Sequence, residues 1–326
     1  MRLIQAETAG RTHKLPMVNL RKELGRLKYL LLEDLPYRGI SKRVPDMRKA
    51  LWDKVPRLPA LPVMNNNDVE LHMLCGTRDT AMGIFASWSL LRFLDRRGML
   101  YVHSDGSLTE DDIERWSAVT PGLVVVTKED ADRRVAKALK GTTIHLYRWR
   151  CGDGMSAQVV DAHFFGDAPK IVSFDSDVLA FHSPDAFISS VLSSAMEFMW
   201  CQDILDAYSA PRQVFHDVFG IEMPNRFNGG FMVTPRFSMD TFQEVDEIME
   251  TMKLDGRIDI DHYWSAQTYY AILAARRGLK NKMPTTYDTH KGKTRQNAVV
   301  RHYVGNPQIR FRYLTEGIPR LLRQIE

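Results

Sequence analysis

From residue 69 onward, short apolar runs alternate with longer segments whose apolar residues recur every three or four positions. Val69-Glu70-Leu71-His72-Met73-Leu74-Cys75 reads as a strand with partial alternation, broken by Gly76-Thr77-Arg78-Asp79. The spacing then predicts an amphipathic helix over 80–97, closed by Arg96-Arg97-Gly98, a cationic last turn with a glycine stop. A second strand, Met99 to His103, ends in the polar turn Ser104-Asp105-Gly106-Ser107. A helix follows whose first turn, Thr109-Glu110-Asp111-Asp112, sets acids at the positive end of its dipole. Leu123 to Val126 is a third strand, 129–140 a helix, and Ile171 to Phe174 a further strand. Strands alternating with helices predict an α/β fold, a mostly parallel sheet built from βαβ units and flanked by helices. Ligands of such sheets gather at the carboxyl ends of the strands. Gly76, Asp105 and Asp175 all fall at such ends.

The second half changes character. The pattern predicts helices over 184–209, 238–253 and 264–277, a glycine-interrupted strand over 226–233, and a basic, mostly irregular tail from Lys291. Ahead of the sheet, 18–56 reads as helical, with a stop at Pro56, Pro59 and Pro62 and a polar turn at Asn65-Asn66-Asn67-Asp68. The expected organisation is an N-terminal helical extension over 1–64 and an α/β domain over 65–326.

The most informative stretch is Phe174-Asp175-Ser176-Asp177-Val178-Leu179-Ala180-Phe181. Two carboxylates stand where a buried strand ends, and an apolar run resumes directly after them. Residues two apart on an extended chain face the same side. Like charges held together are unfavourable unless a cation shares them, and carboxylate oxygens suit hard cations, Mn or Mg.

Composition narrows the setting. The 326 residues suit one large domain, or one with a small appendage. Three scattered cysteines, Cys75, Cys151 and Cys201, include no CxxC pair and point to a reducing compartment. Neither a signal peptide nor a membrane span is evident, so the expected location is the cytoplasm. A net charge of +4 gives no reason to expect a nucleic-acid partner. The positive charge is concentrated in 21–57, from Arg21 and Lys22 to Arg48, Lys49, Lys54 and Arg57. A solvated helical face explains it; so does peripheral contact with the anionic inner face of a membrane.

Four segments in order resemble the GT-A fold glycosyltransferases, closest in layout to glycosyltransferase family 8. They are Leu74-Cys75-Gly76-Thr77-Arg78-Asp79, the Asp-x-Asp of Asp175 and Asp177, Phe227-Asn228-Gly229-Gly230-Phe231-Met232, and His302-Tyr303-Val304-Gly305. The resemblance implies a GT-A sheet and a metal-dependent hexosyltransferase. Its donor would be a nucleotide sugar, a UDP-sugar first, and its acceptor a hydroxyl of a glycan or glycolipid. It further implies Asp175, Asp177 and His302 as ligands of Mn2+ or Mg2+. Gly76, Thr77 and Arg78 would lie under the nucleotide, with Asp105 near its base or ribose. Asn228, Gly229 and Gly230 would line the sugar pocket, and Gly305 would let the backbone approach a phosphate. The family's diphosphate-gripping lysine is replaced by Gln308, leaving Arg310 as the nearest cation.

Several of these residues also have plain structural explanations. Arg78 suits a surface or capping role, Asp105 simple turn chemistry, and the paired glycines a β-bulge. Tyr263, Trp264, Tyr269 and Tyr270 fit a sugar platform or a core. Gln267 matches the family's catalytic segment, but Ala266 replaces its aspartate, so Asp261 and Asp259 are the nearest acids. Retention and inversion both stay open. So do two other functions, a nucleotidyl or phosphoryl transferase and a non-catalytic nucleotide- or glycan-binding protein.

Overall fold

The computed structural model describes residues 40–326 except 65–67, 153–154, 196–197, 280–282 and 305–306. Much of the predicted 18–56 helix, the 65–68 turn and Gly305 therefore lie outside the described residues. Six strands form the main sheet: β1 (Val69–Cys75), β2 (Gly98–Ser104), β3 (Val124–Val126), β4 (Lys170–Phe174), β6 (Met199–Gln202) and β7 (Phe227–Pro235), in the order β3-β2-β1-β4-β7-β6. The pairs β1–β2, β2–β3 and β1–β4 are parallel, and β7 runs antiparallel to both neighbours. A small second sheet, β5-β9-β8, joins β5 (Val178–Ala180), β9 (Val300–His302) and β8 (Tyr287–Asp288). The predicted mostly parallel α/β sheet is thus observed, including its four leading strands to within a residue at each end.

The helices depart from the pattern in instructive places. The predicted amphipathic helix over 80–97 is helical only over Thr80–Leu91, and all twelve of its residues are buried. It lies between the main sheet and β5, where Ser89 Oγ accepts a hydrogen bond from the Ala180 amide at 3.0 Å. The helix is capped at Arg92, Asp95 and Arg96 take positive φ in the turn that follows, and Gly98 opens β2 rather than stopping a helix. The long helix predicted over 184–209 is instead a short helix, Asp185–Leu192, followed by β6. Lys170, buried at the start of β4, donates to the Ser193 carbonyl at 2.7 Å and so helps terminate that helix. Met-Trp-Cys-Gln has no strong strand preference; pairing with β7 imposes the strand. The tail is not irregular: the helices Pro307–Arg312 and Ile318–Leu322 and the π-helical turn Tyr313–Gly317 between them follow β9 and bury Ile309, Tyr313, Leu314, Ile318 and Leu321 in the core.

Other local signals act as written. Thr109 and Asp112 form a reciprocal capping box, and Ser238 caps the helix Met239–Asp255, which ends on left-handed Gly256. The described part of the N-terminal segment packs against the domain: Val44, Leu51, Val55, Leu58, Leu61 and Met64 join the cluster built on β1.

One buried polar network ties the amino end of the sheet to its loops. Glu70 is fully buried and accepts from the amides of Asp167 (2.7 Å) and Ala168 (2.9 Å) and from Arg236 at the end of β7. Arg236 also donates to the carbonyls of Phe165 (2.9 Å) and Ala168 (2.8 Å). A charge this deep is stable only when paired and bonded this fully. Beside it, His72 stacks on Tyr101, and His72 Nδ1 meets His103 Nε2 at 3.0 Å. His163 Nδ1 accepts from the Phe237 amide at 3.0 Å, and its Nε2 meets the Tyr270 hydroxyl at 3.2 Å.

Burial holds all three imidazoles below their ordinary value of 6.5. They stay neutral in the folded chain, whereas the unfolded chain protonates them below about pH 6.5. Stability is therefore full above that pH and falls as the pH drops below it, with a slope of up to about 1.4 kcal/mol per pH unit for each imidazole involved. We predict a lower urea midpoint at pH 5.5 than at pH 7.5 with an unchanged m-value. Equal midpoints would show that these imidazoles do not resist protonation.

Candidate functional site

The site forms where β4 ends and the chain crosses to the second sheet. The Asp175 amide donates to the Gly230 carbonyl at 2.9 Å, closing the β4–β7 ladder, and the Val178 amide donates to the Asp175 carbonyl across a tight turn. Val178 then pairs with His302 on β9, and the Tyr303 amide donates to the Asp177 carbonyl at 2.9 Å. Backbone pairing alone thus brings Asp175 from one sheet beside Asp177 and His302 from the other.

His302 Nε2 lies 3.1 Å from Asp177 Oδ1 and 3.4 Å from Asp175 Oδ2. One ligand atom from each residue fits within 4.8 Å of the others. Asp177 and His302 are buried, and Asp175 is about one-third exposed, open to the cavity. Burial alone would raise the Asp177 carboxyl, but the charges of His302 and Arg310 outweigh it and hold it low. For His302, burial opposes protonation, yet Asp177 and Asp175 raise it to about 10. Without a cation, an imidazolium and a guanidinium thus face the two carboxylates, and His302 gives up its proton to serve as a ligand; Arg310 reaches Asp177 Oδ2 at 3.1 Å.

The surrounding shell fixes these groups. Asn228 Oδ1 lies 2.7 Å from His302 Nδ1, and Asn228 Nδ2 donates to Asp203 Oδ2 at 2.8 Å. His302 is therefore oriented with Nε2 toward the carboxylates. Gln158 Nε2 donates to Asp175 Oδ1 at 2.7 Å. Gln267 Oε1 accepts from the Gly229 amide at 3.2 Å. A Cβ on Gly230 would stand 2.1 Å from His302 Cε1 and 2.6 Å from Asp175 Oδ2, so only glycine leaves room for both. β7 also bulges here, since Trp200 pairs with Met232 while Cys201 pairs with Asn228. The bulge offered from sequence for the paired glycines is present, and the side chains of His302 and Asp175 give Gly230 a second reason.

The donor set fits a hard divalent cation. Two carboxylates and one imidazole converge, and buried Asp177 Oδ1 makes no hydrogen bond of proper geometry although His302 is near. A cavity of about 490 Å³ opens over Asp175, Asp177 and His302 and is also lined by Tyr263, Trp264 and Arg310. A smaller one, about 110 Å³, reaches Asn228, Gly229, Gly230 and Gln267.

The remaining sequence candidates sit elsewhere along the same sheet edge. Gly76 has the Asp105 carboxylate packed against it, 2.2 Å from where a Cβ would be. Asp105 Oδ1 accepts from the Ser107 amide at 2.8 Å, the turn chemistry open to it from sequence. The Thr77 hydroxyl donates to Asp112 Oδ2 at 2.7 Å, and exposed Arg78 pairs with Asp79. None of Gly76, Thr77, Arg78 and Asp105 lines the two cavities over the carboxylates. Asp261 does not line them either; its amide donates to Asp259 in an exposed turn. Tyr269 and Tyr270 are core, whereas Tyr263 is 72 % exposed and stands over the cavity. Arg48 comes in from the N-terminal segment and pairs with Asp79 at 2.9 Å.

The sequence missed Gln158 and Asp203. Gln158 lies in a stretch, 141–169, that carries no clear period, and Asp203 lies inside the wrongly predicted long helix. Neither shows a local signal; both act through residues distant in the chain.

No protein-family model and no curated protein matches the sequence. In fold, the chain is similar to the solved structure of mouse xyloside xylosyltransferase 1 in its apo form, with a TM-score of 0.50 at 13% identity over 73% of this chain and 97% of that one. The galactosyltransferase LgtC with donor and acceptor sugar analogues agrees less, with a TM-score of 0.46 at 13% identity over 73% of this chain and 87% of that one. Core-mannan synthase A from Aspergillus fumigatus, in its Mn/GDP form, has a TM-score of 0.42 at 12% identity over 67% of this chain and 72% of that one. The sheet order, the Asp175–Asp177 turn and the xylosyltransferase match together give this chain the GT-A glycosyltransferase fold, of which glycosyltransferase family 8 is one of several families.

Proposed function

We propose that this protein is a metal-dependent glycosyltransferase that moves a sugar from a nucleotide sugar, a UDP-sugar by resemblance, to a hydroxyl of a glycan or glycolipid. The observation that carries the proposal is the Asp175, Asp177 and His302 cluster, with one buried carboxylate oxygen lacking a hydrogen bond, at the carboxyl edge of a GT-A sheet. Mn2+ or Mg2+ is the implied cofactor, held by these three residues. A divalent cation there supplies neutralisation of the charge that develops on a departing diphosphate. Arg310 adds a permanent cation with a planar fork suited to phosphate, in place of the family's lysine. Asn228, Gly229 and Gly230 shape the floor for the sugar, and Gln267 fixes the Gly229 amide from above.

The carboxylates lining these cavities also bear on stereochemistry. An inverting transfer needs a carboxylate base free to reach the acceptor hydroxyl. Asp175 and Asp177 serve the metal. Asp203 is bonded on one oxygen by Asn228 and on the other by the Ile204 amide at 2.6 Å. Each Asp203 oxygen keeps a further lone pair, so it stays a candidate base among the described lining residues, and retention and inversion both stay open. Asp261 lines neither cavity. The nucleotidyl-transferase alternative is weakened because the Gly76–Thr77 turn is filled by Asp105 and bonded to Asp112, which leaves no phosphate loop.

The setting belongs to the same proposal. The three cysteines are not in disulfides, and a cytoplasmic location is part of the proposal. No helix among the described residues is long and apolar enough to cross a membrane. Peripheral contact with an anionic membrane face would use the basic segment that precedes the domain.

Calorimetry with UDP, GDP and CDP, each with and without Mn2+, should reveal a metal-dependent preference for one diphosphate; equal affinity for all three, or none, would remove the transferase assignment. Asp177→Asn should weaken Mn2+ at least about tenfold and abolish metal-dependent turnover while leaving the circular dichroism spectrum unchanged. His302→Ala should weaken donor binding chiefly when Mn2+ is present; an unaltered metal dependence would remove His302 from the ligand set. Gly230→Ala should lower Mn2+ affinity by pushing apart His302 and Asp175, and wild-type affinity in that variant would show that the crowding is relieved elsewhere.

A further inference from the structure

A second cavity, about 670 Å³, adjoins the one over the carboxylates and shares Asp203, Ile204 and Lys291 with it. Its volume suits a ligand of one or two sugar rings, within the roughly 300–1,000 Å³ of small-molecule sites. Its charge is one-sided. Arg226, Lys291 and Arg295 line it with His290, and the only carboxylate among its described lining residues is Asp203. That carboxylate is already held by Asn228 and the Ile204 amide, and neither Arg226 nor Lys291 makes an ion pair among the described residues.

Two of these cations are placed by unusual means. Arg226 holds a left-handed backbone, φ +52°, a conformation that disfavours a side chain of its size. Its amide donates to Asp206 Oδ1 at 2.8 Å, and its carbonyl accepts from the Asp203 amide at 2.7 Å. These contacts hold the strained turn at the mouth of the cavity, immediately before β7. A non-glycine residue kept in such a turn is the pattern expected where a side chain is needed. Lys291 sits in a loop pinned from below by fully buried Arg301, which donates to the carbonyls of Gly292 (2.7 Å) and His290 (3.1 Å). The exposed ammonium of Lys291 stands on the wall common to both cavities.

Resting on the transferase proposal, we infer that this cavity is the acceptor site and that it selects an acceptor sugar bearing an anionic group, a phosphate or a carboxylate. The metal end would hold the donor, the shared wall at Asp203 and Lys291 would mark the point of transfer, and Arg226 would grip the acceptor's anion.

The test is calorimetry on the full chain with glucose, galactose and mannose, each as methyl glycoside, 6-phosphate and uronate, plus inorganic phosphate alone, with and without UDP and Mn2+. At least one phosphate or uronate should bind ten times or more tighter than its methyl glycoside, and the two arms separate the two anions. Arg226→Gly, which relaxes the backbone and so leaves folding intact, should erase that preference while changing UDP affinity less than twofold. Lys291→Gln should weaken the preference in part. Equal binding of charged and neutral sugars, no sugar binding at all, an unchanged preference in Arg226→Gly, or inorganic phosphate binding as tightly as the sugar phosphates would overturn the acceptor assignment. Absence of UDP binding with Mn2+ would instead overturn the transferase proposal, whatever the sugars do.

Discussion

Two carboxylates cannot meet at a half-buried turn without counter-charge, and that constraint organises the carboxyl edge of this sheet. The chain leaves β4 as a buried strand and begins β5 after only three intervening residues, which forces Asp177 indoors. In a low-dielectric setting such a carboxylate needs paired charge and hydrogen bonds together. The protein supplies them from its far C-terminal region: His302 arrives by pairing β9 with β5, and Arg310 by a helix that follows directly. The small second sheet therefore has a clear physical purpose. It delivers compensating groups to a turn that the main sheet creates and cannot neutralise from its own residues.

Around that pair the protein trades freedom for orientation. Asn228 bonds His302 with one end and Asp203 with the other, and it also accepts the Gly230 amide at 3.0 Å. One buried amide thus fixes an imidazole, a carboxylate and the bulged strand between them. A connected network of this kind is rigid when every member is satisfied and fragile when one is lost. Gly230 completes the arrangement by what it lacks, since any side chain there would occupy the space of both ligands. The geometry around the cation site is set by long-range pairing, not by a flexible loop.

How much of this is legible in the sequence depends on the range of the interaction. The strands β1 to β4 could be read because each is a contiguous apolar run with a turn after it. The Asp175 and Asp177 pair could be read because a charge in an apolar run is locally anomalous. Thr80–Leu91 was misjudged as half-exposed: its serines look polar, yet Ser87 Oγ donates to the Ile84 carbonyl at 3.2 Å and Ser89 Oγ accepts the Ala180 amide, so both are accommodated in the core. The strand at 199–202 was hidden because its pairing with β7 overrides weak local preference. Gln158 and Asp203 act across 17 and 25 residues of chain, and nothing beside them in sequence marks that role. His302 could be singled out only through the resemblance, for a lone histidine before a glycine has no local meaning.

The charge of the two adjoining cavities carries a consequence for how reactants would be ordered. Their common wall holds Asp203 and Lys291, with acids toward the cation site on one side and basic residues on the other. The acids at the cation end are themselves faced by His302 and Arg310, so the contrast between the two ends lies in their chemistry: carboxylate oxygens and an imidazole suited to a cation on one side, Arg226 and Lys291 suited to an anion on the other. Bound in that order, donor and acceptor would meet with the leaving diphosphate at the acidic, cation-holding end. The transferred sugar would then point along the wall toward Lys291. The buried Asp177–His302 pair fixes the cation end before either reactant enters, whereas the cationic end is carried by exposed Arg226 and Lys291 on a turn and a loop held through their backbones.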